Sequence, residues 1–346
     1  MTQDLTKDIQ DSVRDAATTG TPLRIQGGDT KAFYGRTGAG IPLEVGAHRG
    51  IVSYEPTELV LTARAGTTLT EVETTLSEHG QMLAFEPPHF GEAATLGGAI
   101  ASGLSGPSRP YMGAVRDFVL GVVCVNGHGE RLSFGGQVMK NVAGYDVSRL
   151  MAGAMGTLGV LLEVSLKILP RPAEELTLAL SMSADEAIST INTWAQQPLP
   201  ISGACHDSEL LRVRLSGSEN GVRSARKKIG GDEIADGHVF WTELREQRLG
   251  FFTDDSPLWR LSVPAATPMS NLNGQWLLDW GGAQRWFVSD LPAETIRQGA
   301  AAVGGHAVSF RGGDRSGEVF HPLAPPVARL HRQLKAAFDP KGIFNP

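Results

Sequence analysis

The stretch Thr95–Gly121, TLGGAIASGLSGPSRPYMGAVRDFVLG, decides how the rest of the chain is read. It holds Gly97, Gly98, Gly103, Gly106, Gly113 and Gly121, with small side chains at Ala99, Ala101, Ser102 and Ser105. Glycine lets backbone approach a ligand with no side chain in the way and reaches positive φ without penalty. Several N–H groups can then face one point, which is how backbone concavities take phosphate. A mobile surface loop would use the same residues, so the neighbouring segments have to choose between the two readings.

Upstream, LRIQGGDTK alternates Leu23 and Ile25 with Arg24 and Gln26 and then turns at Gly27-Gly28. A strand that runs into Gly-Gly-Asp-Thr-Lys is a second place where bare N–H groups, a hydroxyl and an ammonium converge, although Gly-Gly-Asp is also ordinary turn chemistry. Further strands are expected at 43–46, 51–54 and 59–64, and Thr68 to Glu71 has capping-box spacing for a helix. Phe118–Val125 reads as a strand, with a hairpin at Asn126-Gly127. Val147–Ala154 suits a short helix, and 160–169 a strand.

Pro170-Arg171-Pro172 marks a boundary, since prolines so close leave few ladder donors. Beyond it, strands at 176–182, 210–215, 276–280, 285–288 and 306–310 mix with helices at 185–196, 218–228, 294–302 and 327–338. That mixture, without strict βαβ repetition, indicates an α+β fold.

Composition excludes more than it proposes. A net charge of −6 gives no electrostatic footprint for nucleic acid. Two cysteines, Cys124 and Cys205, are too few for an iron–sulfur or cysteine–zinc site, and the nine histidines are scattered. No secretory signal is expected from the first twenty residues, nor a membrane span from any apolar run. GxGxxG after a strand, GxxxxGK[ST], GxSxG and HExxH are all missing. No metal site is expected.

Three ordered segments together are far more specific than any one. They are Gly27-Gly28-Asp29-Thr30 after a strand; Thr95-Leu96-Gly97-Gly98 with Ser102-Gly103 and Gly113-x-x-Arg116-Asp117-x-Val119; and Gly144-Tyr145-Asp146 with Gly156-Thr157-Leu158-Gly159-Val160. In these the chain resembles the PCMH-type FAD-binding domain of the vanillyl-alcohol oxidase and D-lactate dehydrogenase flavoproteins. The resemblance implies two α+β subdomains gripping an extended FAD over residues 1–172. A short α+β cap would occupy 173–324, and a helix and tail over 325–346 would pack back on the FAD domain. It also implies cofactor contacts from Gly27, Gly28, Asp29, Thr30 and Lys31, and from Thr95, Leu96, Gly97, Gly98, Ser102 and Gly103. Gly113, Arg116, Asp117 and Val119 would join them. Gly156, Thr157, Gly159 and Val160 would line the adenine and ribityl side, and Pro87, Pro88 and Thr95 the way to the isoalloxazine.

Within this family the glycine segments and the tail DPKGIFNP look like the smaller FAD-binding subunit of bacterial glycolate oxidases. That implies a complex with a larger FAD-linked subunit and an iron–sulfur subunit, oxidising glycolate or D-lactate to the 2-oxo acid and passing electrons onward. A cytoplasmic place is implied, with the inner face of the plasma membrane reached through partners. A self-sufficient 2-hydroxy-acid dehydrogenase and an assembly subunit with structural FAD stay open. Two departures from the family pattern matter. The Gly-Gly turn continues into Asp29-Thr30-Lys31 rather than a histidine, so FAD is expected to be non-covalent. The histidine-rich metal motif of the longer caps is missing from 171–346, and His206, His306, His321 and Arg311 share no motif, so no catalytic residue is assigned.

Overall fold

The amphipathic N-terminal pattern becomes the helix Thr6–Thr19, which buries Ile9, Val13 and Ala16 and stops at Gly20 in the left-handed region. The computed structural model describes residues 3–136 and 146–345. Gly144 and Tyr145 of the third motif, and Pro346 of the tail, lie outside the described residues.

In the first half, β1 (Leu23–Gln26) and β2 (Ile41–Glu44) pair in parallel. A five-stranded antiparallel sheet is built from β3 (Ile51–Glu55), β4 (Val60–Arg64), β6 (Val119–Val125), β7 (Arg131–Gly135) and β8 (Val160–Lys167), in the order β3-β4-β8-β6-β7. The short β5 (Gln81–Met82) and β9 (Leu169–Pro170) form a separate pair. Leu61, Val122, Val164 and Leu166 of the sheet pack against Leu69, Val72 and Leu76 of the helix Leu69–Ser77 and against Leu96 and Ile100 of the helix Leu96–Ser102. Thr68 caps the first of these helices by accepting the Glu71 N–H at 3.1 Å, and Thr95 caps the second by accepting that of Gly98 at 3.2 Å. The stretch that opened the question therefore begins as a capped helix buried at Leu96, Gly97, Ala99 and Ile100, and runs on through the short helices Arg109–Met112 and Val115–Phe118 into β6.

The second half is one eight-stranded antiparallel sheet. Its strands are β10 (Glu174–Ser181), β11 (Ile201–Asp207), β12 (Leu210–Gly217), β13 (Asp232–Ile234), β14 (Leu258–Ser262), β15 (Gln275–Asp279), β16 (Gln284–Val288) and β17 (His306–Arg311). They run in the order β13-β10-β12-β11-β15-β16-β14-β17. Helices Ala184–Trp194, Glu219–Ile229 and Ala293–Ala302 cover one face. The other face meets the helix Gly237–Arg245 and, from the first half, Tyr34 and Leu104. Sequence reading missed β11, β14 and this helix. β11 is buried at six of its seven positions, so no period-two alternation is visible. The helix opens on Gly237 with no side-chain cap bond.

The halves are clasped by charge. Arg214 of β12 meets Glu86 at 2.8 Å, and its side chain is 7% exposed. Glu246 accepts the N–H groups of His89 at 3.1 Å and Phe90 at 2.8 Å. Trp280 donates its indole N–H to Gly106 at 3.0 Å. Beside this clasp lies Asp279, fully buried, which accepts from the Trp280 N–H and from Gln284. Burial pushes its carboxyl up to about 7, against those two bonds and Arg214 and with help from Glu86.

The C-terminal helix Pro325–Phe338 returns to the first half, where Leu334 and Phe338 touch its core. Lys335 donates to the carbonyls of Thr157 and Phe344 and pairs with Asp339 at 2.7 Å. Asp339, whose side chain is wholly buried, also accepts the N–H groups of Ile343 and Phe344.

Two outcomes follow for stability. Asp339→Ala strips Lys335 of its partner and leaves two buried donors unpaired, which costs about 3 kcal/mol or more and lowers the melting midpoint in calorimetry. Asp279 retains a proton in the folded chain that the unfolded chain has released between about pH 4 and 7. Its stability cost therefore grows across that window and is complete above it. Asp279→Asn should raise the midpoint at pH 8 and leave it unchanged at pH 4; a gain of the same size at both values would refute the buried-charge account.

Candidate cofactor site

The two glycine segments meet because their backbones touch. A Cβ on Gly28 would lie 1.6 Å from the Ala93 carbonyl oxygen, and one on Gly97 would lie 2.7 Å from Ala65 Cβ. On Gly27 it would sit 2.6 Å from the Thr95 hydroxyl. This approach opens a cavity of about 1090 Å³ beside them. Such a volume sits at the top of the range for small-molecule sites and suits a long ligand.

Of the residues singled out in the sequence, the cavity takes in Gly27 to Lys31 from the first segment and Thr95, Gly97, Gly98 and Ser102 from the second. It also takes in Gly156, Thr157 and Gly159 of the third. Asp29 is left-handed at φ 55°, and among the described residues nothing accepts from the N–H groups of Gly28, Asp29, Thr30 or Lys31. Consecutive free donors around a left-handed residue form an anion-binding nest. The side-chain oxygen of Gln26, on the same wall, is buried without a partner.

Nine expected contacts lie off the cavity, most with work elsewhere. Leu96, Val119 and Val160 are core side chains beneath it. Gly103 ends the helix in the left-handed region, where a Cβ would strike Gly153. In the turn from Gly113, Asp117 accepts the Ala114 N–H at 2.9 Å, and Arg116 points to solvent. Pro87 and Pro88 are buried in the Glu86–Phe90 turn that Glu246 and Arg214 clasp.

The sequence reading missed the opposite wall, made by Arg315, Glu318, Phe320, His321, His331 and Arg332. Arg315 donates to the carbonyls of Ala32 and Gly35, and Arg36 pairs with Glu318 at 3.2 Å. These bonds strap a loop of the second half across the first. Asn345 closes the far end, accepting the Ile25 N–H at 2.8 Å and donating to the Met155 carbonyl at 2.7 Å. The only signal for this wall was the polar, proline-rich run 311–326 and the tail.

Charge on the lining favours an anion. Five cationic side chains (Arg24, Lys31, Arg36, Arg315, Arg332) face it against two carboxylates, Asp29 and Glu318. Burial pushes the Lys31 ammonium down to about 8, with Glu246 partly opposing. Among the earlier histidine candidates, His206 is a core residue bonded to the Met182 carbonyl. Arg311 covers Phe33 and bonds Gln247. Cys124 is buried and pushed up to about 12, an inert small hydrophobe. Among the described residues no group of three histidine, cysteine or carboxylate side chains could hold a metal.

Residues 4–135 match the FAD binding domain family. Over 343 residues the chain is 51% identical to the glycolate oxidase subunit GlcE of Escherichia coli, covering 99% of this chain and 97% of that one. It belongs to the GlcE family of FAD-binding glycolate oxidase subunits. A D-lactate dehydrogenase of Archaeoglobus fulgidus is 31% identical over 52% of this chain, which spans 41% of that protein. Among solved structures, p-cresol methylhydroxylase superposes with a TM-score of 0.73 at 14% identity, covering all of this chain and 87% of that one. That likeness establishes the fold as the PCMH-type flavoprotein fold.

FAD is thus the cofactor, and the observed cavity fits it. The nest at Gly28–Lys31 has free donors of the kind that suits a pyrophosphate, and the basic residues of the lining carry the opposite charge. Lys31 gives a test with a direction. It is charged below about pH 8 and neutral above, so FAD retention by the purified chain should weaken as pH rises through that value. Lys31→Met should weaken retention about tenfold at pH 7, the worth of one charge-assisted bond, and flatten the pH profile. Dialysis followed by flavin absorbance measures both.

Proposed function

We propose that this chain is the FAD-carrying subunit of a glycolate oxidase complex, oxidising glycolate to glyoxylate together with a larger FAD-linked subunit and an iron–sulfur subunit. The observation that supports it is likeness over the whole length to a glycolate oxidase subunit, coupled to a cavity whose free donors and charge suit FAD. The flavin is held non-covalently: its phosphates by the Gly28–Lys31 nest, its adenine end by the Gly156–Gly159 turn and Asn345. Residues 1–172 carry it, 173–324 cap it, and 325–346 lock the tail against the carrier.

When bound, FAD supplies an acceptor for the two electrons leaving the hydroxyl-bearing carbon. The chain's own part is placement and exclusion. The Arg315 strap and the Asn345 closure keep water from the two ends of the cavity, and Lys31, Arg332 and Arg36 offset the phosphate charge. The Glu86–Arg214 and Glu246 clasps hold the cap at a fixed distance from that site. No helix among the described residues is long and apolar enough to cross a membrane.

The deciding experiment is an anaerobic visible spectrum of the chain, alone and co-purified with the larger subunit, before and after glycolate. A flavin spectrum in the isolated chain, and bleaching by glycolate in the assembly, is expected. A chain that takes up no flavin on reconstitution, or an assembly without it that oxidises glycolate at full rate, overturns the proposal.

A further inference from the structure

At the cap end of the cavity four basic or hydroxyl side chains converge to which the flavin reading gives no role. Arg260 of β14 reaches across the domain boundary and donates to the Tyr34 hydroxyl at 2.9 Å. Its guanidinium also lies 5.5 Å from the Tyr34 and Phe310 ring centres. An arginine has five N–H donors. Tyr34 is the only acceptor Arg260 meets among the described residues, and no carboxylate pairs with it.

The sheet places the histidines beside it. Arg260 stands opposite Val308 and Ser262 opposite His306, so Arg260 and His306 share the inner face at diagonal positions. The His306 and His321 rings are 6.4 Å apart. His321 Nδ1 accepts the Ala307 N–H at 3.4 Å, which leaves Nε2 as the free donor. His321 and Tyr34 both line the flavin cavity, while His306 is exposed on the solvent side.

We infer that Arg260, Tyr34, His306 and His321 form a binding pocket for a small carboxylate, opening to solvent at His306 and to the flavin cavity at Tyr34 and His321. This rests on the function proposed above, and names within it where the 2-hydroxy or 2-oxo acid is held. A planar guanidinium with unused parallel donors is the group that matches a carboxylate in two bonds. The aromatic faces of Tyr34 and Phe310 fix that plane in advance. Two imidazoles within reach add donors, or an acceptor for a hydroxyl proton. All of this stands without a metal, as the absence of a histidine-rich cap motif requires.

The electrostatics agree. His306 is held below its ordinary range by loss of solvent and then by Arg260 and His321, with no carboxylate opposing. Arg109, stacked 4.4 Å over Trp280 at the same boundary, is likewise lowered by burial and then by Arg116 and Arg260, and only Asp117 works against this. Among the described residues, then, a protein of net charge −6 gathers Arg109, Arg260, His306 and His321 at this boundary with only Asp117 opposing at Arg109.

Oxalate, an unreactive small carboxylate, is the probe. It is titrated into the FAD-loaded full chain and into the flavin-free chain, with calorimetry for affinity and the flavin difference spectrum for proximity. Wild type should bind in both forms and perturb the flavin band in the loaded form. Arg260→Gln should weaken binding at least about tenfold, the worth of one charge-assisted contact, with FAD retention unchanged. His306→Gln, at an exposed position that spares folding, should weaken it several-fold. Affinity unchanged in both variants, or sulfate binding as tightly as oxalate, overturns the pocket. So does loss of oxalate binding once FAD is loaded, since the flavin itself then occupies these groups. Arginine-dependent oxalate binding by a chain that takes up no FAD supports the pocket and overturns the flavin reading instead, so the two fail separately.

Discussion

Everything at the cofactor site depends on main chain lying against main chain. The Gly28 and Gly97 positions leave no room for even a methyl group, because Ala93 and Ala65 already fill it. Close approach of this kind has two products at once. It lets the first turn after β1 and the start of the helix Leu96–Ser102 share a wall, and among the described residues it leaves the N–H groups of Gly28 to Lys31 without an acceptor. Backbone donors are an economical way to hold phosphate, since they carry no side-chain entropy to lose and are fixed before the ligand arrives. The same glycines are thus structural and functional, and neither role can be relaxed without the other.

A second constraint is the charged clasp between the halves. A buried arginine–glutamate pair contributes little net stability, because desolvation consumes most of the attraction, yet breaking it is expensive. Arg214 with Glu86, and Glu246 with the His89 and Phe90 amides, therefore act mainly to specify one docking angle. That angle is what brings Arg260 onto Tyr34 and the strap residue Arg315 onto Ala32 and Gly35. Site geometry at the cap end is inherited from pairs on the other side of the interface.

How far the sequence alone could be read follows from where each signal resides. The glycine segments were legible because close approach restricts composition locally: Gly27 adjoins Gly28 and Gly97 adjoins Gly98 in the chain, so each segment carries its own signal. Leu96, Val119 and Val160 travel with those glycines in the family pattern, yet their side chains turn inward, and a motif records neighbours without recording direction. The opposite wall was not legible. Arg315, His321 and Arg332 gain their roles from a loop and a helix docked across a boundary, and nothing within ten residues of them announces that docking. Strand β11 was hidden for a different reason, since a strand buried on both faces has no alternation to display.

Asn345 ties the last residues to the first strand. Its side chain joins Ile25 to Met155, and its backbone N–H pairs with Leu23, so contacts separated by 320 residues complete the floor of the flavin cavity. Closure over so long a separation comes late in folding, after the entropy of the intervening chain has been lost. A nascent chain emerging amino end first can form β1 and its glycine turn early, but it cannot finish the compartment they open onto until residue 345 has left the ribosome. The tie between the two ends of the chain, from Asn345 to Ile25 and Met155, is thus the last part of this wall that synthesis can supply.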